Sequence, residues 1–186
     1  MGKLTYLSPI TYDLSSFSFM NLFELIKTRR SIRRFTDEPV SDELINKIIE
    51  AGTWAPSGKN NQPWKFAIIK DRDVKAQIAE LTHYSKCVLS ANALIAVFLD
   101  NRSSYHKIKD AQAIGSCLQN MLLTIHDEGL GAVWLGEILK SSEQVRKLVD
   151  GPEDLELMAV IALGHPASDG GKGSRKELDH NIFFRK

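Results

Sequence analysis

Cysteine is scarce in this chain of 186 residues: Cys87 and Cys117 are the only two, and neither sits in a Cys-x-x-Cys pair. Neither a zinc site nor a disulfide framework can be read from them, and two free thiols in a reducing cytoplasm is the plain reading. The five histidines, His83, His106, His126, His165 and His180, show no His-x-x-x-His spacing, which leaves no metal site to expect. No apolar run approaches the length that crosses a bilayer, and the N-terminus lacks a basic stretch followed by an apolar one, so a soluble, cytoplasmic protein without a membrane partner is expected. An excess of charge is missing too. With 24 Lys and Arg against 23 Asp and Glu, interleaved along the chain, no broad nucleic-acid footprint is expected. There is no Gly-x-Ser-x-Gly elbow, no local triad signature and no Gly-x4-Gly-Lys-Ser/Thr loop, so a nucleophile or a Walker nucleotide site is not indicated.

A hydrophobic content of 43% is enough to bury a substantial core in a chain of this length. Residues 20–186 are read as one domain. Residues 1–19, rich in Ser and aromatics without helical periodicity, are read as an extension, a strand-like arm or an appended leader.

Helical spacing is predicted up to Thr28, and from a Ser41 N-cap to Gly52, through Leu44, Ile45, Ile48 and Ile49. A short helix is predicted over 71–81, a long one over about 108–127, and another over 142–149. Strands are predicted over 64–70, 93–99, 132–135 and 155–163. Gly115, inside the long helix, suggests a close helix contact, and Gly129 suggests a helix C-cap. Helices and strands alternate irregularly, which favours α+β over a doubly wound sheet.

Two stretches concentrate the chemistry. Arg29-Arg30-Ser31-Ile32-Arg33 gathers guanidinium groups and a hydroxyl just past a helix, as a dianionic phosphate requires, because the planar fork of Arg donates bidentately and stays charged. Taken alone, a basic helix end also answers to the helix macrodipole. Pro56-Ser57-Gly58-Lys59-Asn60-Asn61-Gln62-Pro63-Trp64 places turn formers and amides ahead of an apolar run, a stiff edge suited to a flat heterocycle. An ordinary connection would account for its Pro and Gly but not for its amides. Gly129-x-Gly131-x4-Gly136 follows a helix and precedes a strand, the reverse of a dinucleotide fingerprint.

Together with Gly129 to Glu137 and the tail Lys172-Gly173-Ser174-Arg175-Lys176, these stretches resemble the flavin-binding elements of the nitroreductase family, in matching order from about Asn21 to the C-terminus. The resemblance implies an α+β fold with a central, mostly antiparallel sheet flanked by helices, in an intertwined homodimer that binds FMN. It places Arg29 and Ser31 on the phosphate and ribityl region, Arg175 on the phosphate with Lys172 as a weaker candidate, and Arg30 on the phosphate or in solvent. Arg33 falls near N1 and the C2 carbonyl, where a cation favours the charge that reduction places on the ring; Arg34 has no assigned role.

By the same resemblance, Asn60 meets the pyrimidine edge from one subunit, while Pro56, Ser57 and Gly58 approach the same or the opposite flavin from the partner chain. Gly58 stands where some members carry Ser. The backbone around Leu135, Gly136 and Glu137 passes near N5, with Glu137 a substitute for an acidic residue that some relatives have at Gly136. No side chain is then expected to do the covalent chemistry. The implied activity is ping-pong hydride transfer from NADH or NADPH to nitroaromatics, quinones or activated alkenes. An offshoot that fragments flavin or dehalogenates, or a non-catalytic flavin-sensing dimer, are the alternatives.

Overall fold

In the computed structural model, residues 21–186 are described; the reading of residues 1–19 lies outside them. Six α-helices and four strands follow one another as α1 (Leu22–Thr28), α2 (Asp42–Thr53), β1 (Trp64–Ile69), α3 (Arg72–Glu80), α4 (Ser85–Ser90), β2 (Ala93–Asp100), α5 (Lys107–Asp127), β3 (Gly131–Leu135), α6 (Ser142–Leu148) and β4 (Leu155–Gly164). The strands form one antiparallel sheet in the order β1-β2-β4-β3. The fold is α+β.

All eight residues of β2 are buried, because helices cover both faces of the sheet. Successive side chains on a strand point to opposite faces. Ile95, Val97 and Leu99 meet Ile114, Leu118 and Met121 of α5 and Ile45 and Ile48 of α2, while Leu94, Ala96 and Phe98 join Ile78, Val88 and Val145. Val97 pairs with Ala159 but Phe98 pairs with Leu157, so Met158 is an extra residue, and this bulge keeps both faces apolar on either side of it.

The expected N-cap forms: Ser41 Oγ accepts from the Leu44 N–H at 3.2 Å. Gly52 does not close α2, which runs one residue further, to Thr53. A Cβ at Gly52 would lie 2.7 Å from Met121 Cγ and 3.0 Å from Cys117 Sγ, so this glycine lets α2 approach α5. Within the chain the close contact expected at Gly115 is not made, with nothing within 4 Å of a Cβ built there. Ile114, Cys117, Leu118 and Met121 turn to the core, and Gly115 shares the other side of α5 with the exposed Gln112 and Gln119.

At the end of α5, Gly129 has φ +73, its N–H donates to His126 O at 3.1 Å, and the Leu130 N–H donates to Ile125 O at 3.0 Å. This paired pattern is the left-handed cap that glycine favours. Gly131 serves a different purpose: a Cβ there would lie 2.8 Å from Ile32, so its absence lets the segment after α1 lie against β3. Among the described residues no helix is long and apolar enough to cross a membrane.

Candidate functional site

The basic cluster stands at the β3 edge of the sheet. Ser31 bridges Ala132 in parallel, and the Ile32 N–H donates to Ala132 O at 2.9 Å, so residues 31 and 32 extend the sheet beyond its fourth strand. Ile32 and Phe35 anchor the segment in the core, which leaves Arg33 and Arg34 outside. Arg29 follows the last turn of α1 and is partly buried.

The tail returns to the same place. A Cβ at Gly170, where φ is +73, would meet Arg30 Cβ at 2.7 Å, so glycine is needed for the chain to cross Arg30 there, while Gly173 lies against the movable guanidinium end, 2.6 Å from a built Cβ to Cζ. Burial, and then the like charges of Arg175 and Arg30, push the Arg29 pKa down. Among the described residues none of Arg29, Arg30, Arg33 and Arg175 forms a salt bridge. Like charges gathered without an ion pair disfavour one another, although the Asp169 carboxylate lines the same cavity, and a dianion would relieve that repulsion.

A cavity of about 200 Å³ opens beside them, lined by Thr28, Arg29, Arg30, Ile32, Ala132 and Asp169, among others. Arg30 is partly committed. Its Nη1 donates to Lys27 O at 2.6 Å and to Arg29 O at 2.9 Å, satisfying carbonyls at the end of α1, while its buried Nε has no partner. Lys172 is exposed, with no hydrogen bond or ion pair among the described residues.

β3 leads from this cluster to Leu135, Gly136 and Glu137. Nothing lies within 4 Å of a Cβ built at Gly136, so the backbone there is open to a ligand. The Glu137 side chain, by contrast, is engaged: it is paired with Lys140 and accepts from Thr82 Oγ1 at 2.7 Å and the His83 N–H at 3.3 Å. The Lys140 bond, followed by the Thr82 bond, holds its pKa at about 2. Its carboxylate fastens the end of β3 to the turn between α3 and α4.

The segment containing Pro56, Ser57, Gly58 and Asn60 lies elsewhere, immediately before β1 and thus at the opposite edge of the sheet. Ser57 Oγ accepts from the Gln62 N–H at 3.0 Å. Lys59, Asn60 and Gln62 all have positive φ (56°, 56° and 46°), a strained conformation for residues with a Cβ. Gly58 avoids a collision, since a Cβ there would lie 1.9 Å from the Tyr105 hydroxyl.

What holds this strained segment is Asp110, a residue the sequence reading passed over. Fully buried, it accepts from Asn61 Nδ2 at 2.8 Å, Ser104 Oγ at 2.7 Å, and the N–H groups of Tyr105 and His106 at 3.1 and 2.9 Å. Burial alone would raise its pKa, but these donors outweigh it, and the net shift is downward. An acid four residues into a long helix that starts after a Ser-Ser-Tyr-His stretch was the available signal, as it can reach back to the free N–H groups of the helix start.

The chain thus presents a cationic cleft with open backbone on one edge of its sheet and a rigid amide-bearing loop on the other. Comparisons with known proteins cover most of the chain. The model of the nitroreductase family matches residues 26–86 and 82–165. A protein of Methanothermobacter thermautotrophicus, provisionally named NADH dehydrogenase/NAD(P)H nitroreductase, is 39% identical over 158 residues, covering 83% of this chain and 82% of its own. The crystal structure of a provisionally named nitroreductase from Desulfovibrio desulfuricans, in complex with FMN, is 44% identical with a TM-score of 0.84, covering 88% of this chain and 96% of that one. The NADPH:FMN oxidoreductase of Vibrio harveyi, complexed with NAD+, aligns with a TM-score of 0.80 at 26% identity, covering 88% of this chain and 76% of that one. This chain belongs to the nitroreductase family.

Proposed function

We propose that the chain is an FMN-dependent oxidoreductase, active as a homodimer, that oxidises NADH or NADPH and reduces nitroaromatic, quinone or activated-alkene acceptors. The observation that carries this reading is the cluster of Arg29, Arg30 and Arg175 beside a cavity with no salt-bridge partner, a place built for a phosphate monoester. The FMN of the Desulfovibrio relative supports the choice of ester. Arg29 and Arg175 bind the phosphate, with Lys172 and the free face of Arg30 at its margin, and Ser31 takes the ribityl chain. When bound, FMN would supply the redox chemistry, a ping-pong exchange of hydride between nicotinamide and acceptor.

Along the ring, the segment Leu135, Gly136 and Glu137, whose backbone is open at Gly136, would lie near N5, and Arg33 would face N1 and the C2 carbonyl. A second copy is needed because loop and cluster occupy opposite edges of a four-stranded sheet, three strand spacings or about 14 Å apart. Pro56, Ser57, Gly58 and Asn60 therefore complete the pocket from the partner chain. Leu22, Phe23, Trp54 and Ile108 leave large apolar side chains exposed, which suits a chain that buries them against a copy of itself.

Steady-state oxidation of NADH and of NADPH, with a quinone or nitroarene as acceptor, tests the activity. Acceptor-dependent turnover by a flavin-containing dimer is expected. Bound FMN without turnover would favour a sensing role, and a monomer that retains tight FMN in sedimentation would contradict the shared pocket.

A further inference from the structure

Arg33 is exposed and held by little. Among the described residues its hydrogen bonding amounts to one long contact, Nη1 to Ser31 O at 3.4 Å. A guanidinium this free would spread over several rotamers and lose most of its effect on a ring beside it. One aromatic side chain limits it: Arg33 Cζ lies 5.9 Å from the centroid of the Tyr84 ring, within cation–π range.

The backbone that carries the Tyr84 ring is tied down, although the ring itself is exposed. The Tyr84 N–H donates to Thr82 Oγ1 at 3.2 Å, and Thr82 Oγ1 donates to Glu137 Oε2 at 2.7 Å. A second tie joins the same two turns, from Ser141 Oγ to Leu81 O at 3.3 Å. The Glu137 carboxylate stays ionised throughout the working pH range, since its pKa is held at about 2. The turn carrying Tyr84 is thereby fastened to the end of β3, the segment whose backbone is open at Gly136.

We infer that Tyr84 is a positioning residue for Arg33: its ring, carried on a turn fastened through Thr82 to Glu137, stands against the guanidinium, narrows its spread at the N1 and C2 edge of the flavin and thereby sets the reduction potential. The inference rests on the placement of Arg33 given under the proposed function. It gives Glu137 a specific task, as the fixed point of the latch.

Reductive titration of the FMN-saturated protein against a reference dye tests it in four single variants and one double variant. Tyr84→Leu should make reduction about three- to tenfold less favourable, some 15–30 mV more negative for a two-electron couple, and Tyr84→Phe, which keeps the ring, should match wild type. Thr82→Val, which removes the latch hydroxyl at constant shape, should shift the potential in the same direction by less. Arg33→Ala should show the full shift, and adding Tyr84→Leu to it should change nothing more, because the ring acts only through the guanidinium.

A wild-type potential in Tyr84→Leu while Arg33→Ala is shifted would overturn the role of Tyr84 and leave that of Arg33 standing. Additive shifts in the double variant would overturn it equally. A wild-type potential in Arg33→Ala would instead refute the placement of Arg33, and this inference with it.

Discussion

Replacing Arg29 and Arg175 together by Ala should cost this protein two to four orders of magnitude in FMN affinity. Each guanidinium contributes charge-assisted hydrogen bonds to a phosphate, worth about 1.5–3 kcal/mol apiece in typical mutational series. If roughly additive, the two sum to about 3–6 kcal/mol, which is the stated range in the dissociation constant. The fold should not suffer. The Arg29 pKa is pushed down first by burial and then by Arg175 and Arg30, so the like charges oppose one another and removing them relieves repulsion. The double variant should therefore melt at or slightly above the wild-type temperature without FMN and fall below it when FMN is in excess. Calorimetric titration and thermal melts, each with and without FMN, check both halves. Unchanged affinity would remove the phosphate from this cleft.

The second large effect is on stability and concerns Asp110. Asp110→Ala would leave four donors, Asn61 Nδ2, Ser104 Oγ and the N–H groups of Tyr105 and His106, without their buried acceptor. A loss of about 3–4 kcal/mol is expected, or roughly 10 °C in melting temperature for a chain of this size. Asp110→Asn, which keeps one acceptor oxygen, should lose about half as much.

The sign with pH follows from the direction of the shift. The folded carboxyl titrates below its unfolded value of about 3.9, so its contribution is complete above that pH and is lost as pH falls through the lower folded value. Wild type should therefore lose stability more steeply than Asp110→Asn on acidification below about pH 4. Denaturant melts across that range give the comparison. Parallel pH profiles for the two proteins would show that Asp110 is not the group responsible.

Most of the scaffold was legible because its signals are local. The apolar spacing of α2 and α5, the Ser41 cap and the Gly129 cap each depend on neighbours a few residues away, and each element appears where expected to within a residue or two. α4 escaped because six residues hold fewer than two helical turns, too short for periodicity to declare itself. Gly115 makes no close contact within the chain, because a glycine in a helix signals missing bulk without saying which neighbour uses the space.

The motifs of the candidate site stand out in the sequence, and the residues that support them do not. Arg29, Ser31 and Arg175 come together at one edge, although more than 140 positions separate the first from the last. The residues that hold the motifs in place carry no motif of their own. Asp110 reaches Asn61 across 49 positions, and Glu137 reaches Thr82 across 55, contacts that exist only once the strands are ordered. Glu137 shows the difference most clearly. Its neighbourhood pointed to the flavin, whereas its side chain is turned to Lys140 and Thr82.

The measurement that bears most directly on the central claim is a paired titration of the flavin-free protein with FMN and with riboflavin, which share the ring and differ by the phosphate. If the arginine cleft is a phosphate site, FMN should bind at one per chain and riboflavin at least about a hundredfold more weakly, a gap of some 2.7 kcal/mol that should close in the Arg29→Ala, Arg175→Ala double variant. Equal affinity for the two flavins, or no binding of either, would contradict the account.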